Sequence, residues 1–256
     1  QESLREHFDL SIEAFYKRLL TDPHHPSTSQ PSVRDFLDIY RGIYDQDPDA
    51  TILSIHLSGK LSGLINAAKQ AAAMLEEERI HILDTLQVSI GSGLQVLEAA
   101  RMAAAGISVE AIIERQRAIA ASINVYAMVD TLEYLVKGGR LGKAAGMVGA
   151  LLDLKPVLAL RDGVVLPHSR ARTRHKAIEM LRHLILHDAA PDDRIHLAVG
   201  HARCESEAKR FGEELCEVLN PAEFLLTEIG PALGVHMGPG ALGLAWWKPS
   251  TVGASS

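Results

Sequence analysis

The stretch that organises the rest of the chain is TILSIHLSGKLSGLINAAKQAAAMLE, residues 51–76. Its apolar opening, residues 52–57, has the length and β-branched content of a buried strand. Its alanine-rich continuation, residues 64–78, predicts a helix, and a Ser/Gly-rich loop at 58–63 joins the two. The first N–H groups of a helix lack intrahelical partners and carry partial positive charge, so a strand, loop and helix in this order can bind an anion.

The same loop has a plainer interpretation, an ordinary strand-to-helix turn in which Ser62 caps the helix. Glycine and serine suit either purpose, because they serve both tight turns and close approach to a ligand. Both interpretations stay open on this stretch alone.

A second unit of the same kind follows. Residues 80–84 predict a buried strand, residues 94–105 predict a helix, and a polar loop lies between them. Another helix is predicted at 109–121, capped by Ser108. Alternating strands and helices predict a parallel sheet with helices on its faces. Ligands in such sheets bind beyond the carboxyl ends of the strands, which is the edge where both polar loops lie.

The pattern changes near residue 122. Residues 124–129 are strand-like, and residues 155–160 and 164–169 predict a hairpin that turns at Asp162-Gly163. Further helices are predicted at 176–187 and 205–219, and further strands at 194–200 and 223–229. A hairpin makes this part of the chain at least partly antiparallel, unlike the first part.

Length and composition fit this division. The chain has 256 residues, of which 47% are hydrophobic, enough for one large or two modest domains. We predict two α/β domains: residues 1–121 with a mainly parallel sheet, and residues 122–256 with helices and a mixed or antiparallel sheet.

Composition also argues against several classes of protein. A formal net charge of −6 and an aromatic content of 5% disfavour a nucleic-acid partner. No apolar run approaches the roughly 18 residues that span a bilayer, and no apolar leader marks secretion.

Cys204 and Cys216 are too far apart on one predicted helix for a disulfide, so we expect reduced thiols in a cytoplasmic protein. No spacing typical of metal ligands occurs, and we expect no metal.

Other candidate side chains each have a functional and a structural interpretation. The hydroxyl-rich STSQPS at 27–32 is either a donor set or a helix cap, and Arg140 is either a site residue or a solvated cation. The basic run at 170–176 is either a docking patch or a solvated helix start. Repeated glycines in the predicted helix 141–154 indicate close approach of another backbone or of a slender apolar ligand. His236, in a tail expected to be a constrained loop, is the histidine that we single out.

Five segments together resemble the DegV family, and with it the fatty-acid-binding subunit of bacterial fatty acid kinase. Each is weakly specific alone, but their order and spacing between about Phe15 and Trp247 are specific. The segments are STSQPS (27–32), HLSGKLSG (56–63), DTLQVSIGSG (84–93), LEYLVKGGRLGKAAGMVGALLDLKPVL (132–158) and GVHMGPGALGLAWW (234–247).

The resemblance implies two α/β domains with a long-chain fatty acid between them. The acyl chain would lie in an apolar tunnel, and hydroxyls and a histidine would hold its carboxylate. The protein would not itself be an enzyme. It would present the acid to a separate ATP-dependent fatty acid kinase, and the acyl phosphate would enter phospholipid synthesis in the bacterial cytoplasm. The resemblance implies no cofactor besides the bound acid, no nucleic acid and no stable membrane insertion.

Particular residues receive roles through the matching motifs. The resemblance gives carboxylate-binding positions at Thr28, Ser62 and His236, with Ser58 and Ser29 nearby. It gives positions in the head-group network or facing the kinase at Arg140, Arg170, Arg172 and Arg174, and tunnel-lining positions at Gly146 and Gly149.

The sequence departs from the family pattern in three places. The family's N-terminal strand and its Asp-Ser-Thr-Ala-Asp loop are not in this sequence, which begins with Gln1, so we expect that an N-terminal part has been trimmed. Leu64 stands where the family usually has a threonine, which removes one hydroxyl. Lys60 and His56 add charge close to the loop.

Two alternative functions remain. Ser62, His236 and Asp84 could form a hydrolase triad, although the G-x-S-x-G pattern of a nucleophile elbow is absent around Ser62. The chain could also be a binding module for another anionic small molecule.

Overall fold

The computed structural model describes residues 3–6, 8–75, 78–142 and 154–249. Its α-helices are α1 (Ile12–Thr21), α2 (Val33–Gln46), α3 (Leu64–Leu75), α4 (Ile90–Ala104), α5 (Val109–Ser122), α6 (Glu133–Lys137), α7 (Arg174–Asp188), α8 (Glu205–Leu219) and α9 (Pro231–Met237). Its β-strands are β1 (Ile52–His56), β2 (Ile80–Asp84), β3 (Asn124–Met128), β4 (Lys155–Arg161), β5 (Val164–Ala171), β6 (His196–His201), β7 (Glu223–Glu228) and β8 (Leu242–Trp247). None of the described helices has the length and apolar character that crossing a membrane requires.

The strands form two sheets of different character. β1 and β2 pair in parallel, from Ile52 opposite Ile80 to His56 opposite Asp84. The other described strands form a mixed sheet in the order β5-β4-β3-β8-β6-β7, in which β6 and β7 are parallel and the remaining neighbours are antiparallel. The predicted α/β class, with a parallel first sheet and a mixed second sheet, is confirmed.

Local signals place several elements where the sequence predicts them. The side chains of Ser11, Ser32 and Ser108 accept backbone N–H groups at the starts of α1, α2 and α5. Asp162 and Gly163 turn the hairpin between β4 and β5 with φ angles of 50° and 76°, as a two-residue turn with positive φ requires. The predicted cap at Ser108, the capping interpretation of the 27–32 segment and the predicted hairpin are confirmed.

The start of α4 differs from the prediction. The helix begins at Ile90 instead of residue 94, and together with α5 it packs on the six-stranded sheet. The shared apolar cluster consists of Ile90, Leu94, Ile119, Ile123, Val125, Leu160, Ala198, Ala245 and Trp247. This packing joins residues on both sides of the expected boundary at 121, and the division into two domains stays a prediction.

An ion-pair cluster also ties α4 to the six-stranded sheet. Arg101 on α4 donates to both carboxylate oxygens of Glu223 on β7, and His196 Nδ1 lies 3.0 Å from Glu223 Oε2. The His196 ring stacks on Trp247 with ring centroids 4.3 Å apart. Because Arg101 and His196 both favour the ionised carboxylate, the pKa of Glu223 falls from 4.5 to about 2.

Glu223→Gln is expected to lower the free energy of unfolding by about 1–2 kcal/mol at neutral pH, a modest loss because Arg101 is half exposed. The carboxylate contributes stability above its unfolded-state pKa of 4.5, and this contribution is lost as the pH falls towards about 2. Urea unfolding of both proteins should therefore show a difference that shrinks across that window. Glu213→Gln, at an exposed carboxylate on α8, is the control. A difference in unfolding free energy that does not change with pH would contradict the lowered pKa of Glu223.

Candidate functional site

The loop between β1 and α3 carries Ser62 beside the hydroxyl-rich segment. Ser62 Oγ accepts the N–H of Leu64 at 3.2 Å and so serves the first turn of α3. A hydroxyl that accepts one hydrogen bond still has its own proton to donate, so Ser62 can also bind an anion. Gly63 packs against the Gln30 side chain so closely that a Cβ at position 63 would collide with the amide. The two interpretations of the loop are therefore compatible.

Ser58, in contrast, has an internal role. It is fully buried, its hydroxyl donates to Gly163 O at 2.8 Å, and it accepts the N–H of Lys60 at 3.2 Å. Lys60 Nζ donates to Asp162 O at 2.7 Å, so the loop is fastened to the turn between β4 and β5. The one hydroxyl proton of Ser58 is used inside the protein, and Ser29 points to an exposed surface. Neither geometry supports a direct contact with a carboxylate.

Thr28 and His236 lie together although they are far apart in the chain. Thr28 Oγ1 and His236 Nε2 are 3.1 Å apart, and His236 is only 8% exposed. The expectation that His236 lies in a constrained loop is wrong, because it lies in α9. Pro231 is the first residue of that helix and Gly238, with φ of 71°, follows its last residue, so the tail supplies start and stop signals for a helix.

Gly138, the first of two glycines after α6, faces the same imidazole ring. Gly138 is the C-cap of α6, and a Cβ at that position would collide with His236 Nδ1. The Arg140 guanidinium donates to Gly138 O at 2.8 Å and to Leu61 O at 3.4 Å. Arg140 therefore connects the turn after α6 to the loop after β1 and is exposed to solvent.

These contacts bring Thr28, Ser62, Arg140 and His236 into one region, which we call the polar cluster. Burial lowers the pKa of His236, and the positive charges of Arg140 and His25 lower it further. His236 is therefore a neutral hydrogen-bonding group at neutral pH, and its buried Nδ1 has no hydrogen-bond partner within the described part of the chain. Arg140 supplies the positive charge, so the cluster suits an anion.

His25 is a neighbour of the polar cluster that the sequence analysis missed. Its ring packs against Tyr134 with centroids 5.9 Å apart, and burial together with Lys137 lowers its pKa. The sequence contains a signal, since His25 lies two residues before the hydroxyl-rich segment. A histidine in a polar loop is usually solvated, and nothing in the local pattern distinguishes this one.

An apolar cavity of about 70 Å³ lies between the six-stranded sheet, the start of α4 and helices α6 and α9. Its walls include Ile90, Val125, Leu135, Leu158, Leu233 and Met237. The last two lie in α9, the helix that also carries His236 of the polar cluster. Gly146 and Gly149, the residues expected to line a tunnel, lie outside the described residues.

The basic run divides into two parts. Arg170 and Arg172 are exposed where β5 ends, as a docking patch requires. Arg174 is half buried and donates to Glu207 at 2.8 Å, to Asp130 at 3.1 Å and to a backbone carbonyl at 2.6 Å. Its guanidinium is engaged within the protein, so the geometry does not support a kinase-facing role for Arg174.

The hydrogen bonds of Asp84 and His236 do not form the alternative hydrolase triad. The Asp84 carboxylate accepts the N–H groups of Gly59 at 3.1 Å and Leu86 at 2.8 Å, while the partner of His236 is Thr28. Within the ranges that the structure describes, no group of three or more His, Cys, Asp or Glu residues could hold a metal ion. The structure therefore contains a polar cluster whose chemistry suits an anion and, beside the six-stranded sheet, an apolar cavity.

Comparison with known proteins supports a family assignment. The model of a family described as "uncharacterised protein, DegV family" matches residues 1–248. Protein DegV of Bacillus subtilis (strain 168) is 34% identical over 247 residues, which cover 96% of this chain and 87% of that protein.

Solved structures agree with this assignment. A DegV family protein from Thermus thermophilus, whose structure concerns fatty acid binding, superposes with a TM-score of 0.88 and 33% identity over 95% of this chain and 86% of that chain. A stearic acid-binding protein from Eubacterium ventriosum ATCC 27560 gives a TM-score of 0.85 and 25% identity over 97% and 87% of the two chains. Sequence and structure together show that this chain belongs to the DegV family.

Proposed function

We propose that this protein binds a long-chain fatty acid, with the acyl chain in the apolar cavity and the carboxylate at the polar cluster. One observation carries the proposal: the short helix α9 contributes residues both to the apolar cavity and to the polar cluster. Leu233 and Met237 line the cavity, and His236 between them belongs to the polar cluster. The similarity to DegV proteins that bind fatty acids supports the same class of ligand.

The carboxylate needs compensation for the water that it loses. Burying an unpaired carboxylate costs several kcal/mol, and hydrogen bonds from hydroxyls together with a nearby positive charge offset that cost. Ser62 offers a hydroxyl proton, and Arg140 offers positive charge. In the tautomer whose Nε2–H donates to Thr28 Oγ1, neutral His236 leaves the hydroxyl proton of Thr28 free for the carboxylate. His236 then orients Thr28 towards the ligand.

The acyl chain gains free energy from burial. Each methylene that leaves water contributes about 0.8 kcal/mol, and the cavity walls are aliphatic over most of their area. A ligand with a long apolar tail and one anionic end matches both parts of the site.

We further propose that the chain presents the bound acid to a separate ATP-dependent kinase in the bacterial cytoplasm, without catalysing a reaction itself. A carboxylate oxygen would attack the γ-phosphorus of ATP, the bond to ADP would break, and the acyl phosphate would serve phospholipid synthesis. Two features support presentation. Arg140 of the polar cluster is exposed, and Arg170 and Arg172 are exposed at the edge of the sheet where β3 and β5 end. Clustered cations at an edge suit docking of an acidic partner surface.

Thr28→Val is expected to weaken fatty acid binding about tenfold or more, because a hydrogen bond to a charged group contributes about 1.5–3 kcal/mol. Displacement of a fluorescent fatty acid measures this loss. Thr227→Val, at an exposed threonine on β7, is the matched control and should bind like wild type. Equal affinity of Thr28→Val and wild type would remove Thr28 from the carboxylate site.

His236 is expected to titrate below the ordinary histidine value of 6.5 in the ligand-free protein, since burial disfavours the charged ring. Arg140→Gln should raise this pKa because it removes a nearby cation, whereas Arg172→Gln should leave it unchanged. Addition of fatty acid should also raise it, because a carboxylate stabilises the imidazolium. NMR titration of the His236 ring measures the pKa in all four cases. A bound acid that leaves the His236 pKa unchanged would place the head group elsewhere.

The double variant Arg170→Ala/Arg172→Ala is expected to slow acyl phosphate formation by the partner kinase about tenfold at low salt, with fatty acid affinity unchanged. The difference should decrease at high salt, because screening weakens steering by exposed charges. A coupled assay of ADP release measures the rate. Arg117→Ala/Arg210→Ala removes two exposed arginines from α5 and α8 and serves as the control. A comparable loss in the control pair would show that the patch has no special role.

A further inference from the structure

The side chains that the six-stranded sheet presents to the cavity become smaller from β4 towards β6. Directly opposed residues on neighbouring antiparallel strands share a face of the sheet. One such row crosses four strands, with the pairs Leu158–Ala127, Ala127–Gly243 and Gly243–Gly200. All four residues border the cavity. The row therefore ends in two glycines, which leave open space above β8 and β6.

Ile90, the first residue of α4, occupies this space from above. A Cβ at Gly200 would lie 3.1 Å from Ile90 Cγ2, and a Cβ at Gly243 would lie 3.3 Å from Ile90 Cδ1. Both distances are tighter than ordinary van der Waals contact, so the Ile90 side chain rests directly on the glycine pair. Ile90 is buried and also borders the cavity. Its size therefore determines how much of the space above the glycines is left to a ligand.

The backbone on either side holds Ile90 in this position. Ser89 has φ of 53° and ψ of −126°, a conformation that residues other than glycine rarely adopt and that costs about 1–3 kcal/mol. Gly91 allows α4 to approach the sheet, because a Cβ there would lie 2.8 Å from Val125 Cγ2. Ile90 is thus fixed between a constrained turn and a close helix–sheet contact, and it cannot move aside for a longer ligand at low cost.

We propose that Ile90, seated on the Gly200–Gly243 pair, determines the acyl-chain specificity of this protein by limiting the chain length that the cavity accepts. This inference rests on the proposed binding of fatty acids. A smaller residue at position 90 frees the space above the glycines and admits a longer chain. A methyl group added at Gly200 meets Ile90, forces it towards the ligand and favours a shorter chain. Destabilisation alone does not move the preference in opposite directions.

The test compares affinities for saturated acids of roughly 14 to 20 carbons, measured by displacement of a fluorescent fatty acid. Ile90→Ala is expected to raise the ratio of affinities for the longest over the shortest acid by about fourfold or more, since each buried methylene contributes about fourfold in affinity. Gly200→Ala is expected to lower the same ratio. The double variant should return towards wild type, because the added methyl group fits the vacated space.

Ile119→Ala is the matched control, since Ile119 belongs to the same apolar cluster and is fully buried but does not border the cavity. It should leave the ratio unchanged. Ile90→Val is a milder variant that should shift the ratio in the direction of Ile90→Ala. An unchanged ratio in Ile90 variants that still bind the acids, or an equal shift in Ile119→Ala, would overturn the inference while the proposed function stands. A wild-type protein that binds none of the acids would overturn both.

Discussion

The buried imidazole of His236 is the constraint on which the site depends. A polar ring out of water needs a hydrogen-bond partner, and Thr28 provides it from a segment 208 positions away. The ring also needs space, which the missing side chain of Gly138 provides. On the other side of α9, Tyr16 donates a hydrogen bond to Ile229 O, just before the helix begins. The buried imidazole thus connects the segment before α2, the turn after α6 and the tail, and Tyr16 adds a separate bond from α1 to the start of the tail.

The same tail also shapes the cavity. After α9 the chain turns back as β8, which lies between β3 and β6 in the six-stranded sheet. Gly243 of β8 pairs with Gly200 of β6, and the absence of side chains there leaves space above the sheet. On β4, the side chains of Leu158 and Leu160 occupy the corresponding space at the other side of the cavity. One short region of sequence therefore contributes both to the polar cluster and to the apolar cavity. A ligand that satisfies both must have an anionic end and a long apolar body.

Much of the fold follows from local sequence signals. The caps at Ser32 and Ser108, the Asp162-Gly163 turn and the alternation of strands and helices are short-range features, and the structure contains them where they are predicted. Thr28, Ser62, Arg140 and His236 come from family-like motifs, and the structure brings those segments together, while their roles towards a ligand remain proposals.

Features that depend on distant contacts could not be predicted from the sequence. The helical state of α9 is one example, because a run rich in glycine and proline reads locally as a loop. Arg174 appears as one cation of a basic run, yet its partners Asp130 and Glu207 come from other elements. In the sequence Ser58 likewise resembles a second hydroxyl for the ligand. In the structure its hydroxyl donates a hydrogen bond to Gly163 O in the turn between β4 and β5. The cavity itself is set by residue pairing across four strands, which the order of residues in the chain does not reveal.

The central claim is that the apolar cavity and the polar cluster together hold a fatty acid. Native mass spectrometry of the purified protein, followed by solvent extraction of its ligand, tests this claim most directly. We expect about one acid of roughly 14 to 20 carbons per chain, since the walls of the cavity are apolar and suit a long acyl tail. A protein that carries no such acid and also fails to take up added fatty acid would contradict the account, and a different anionic ligand would then have to be sought for the polar cluster.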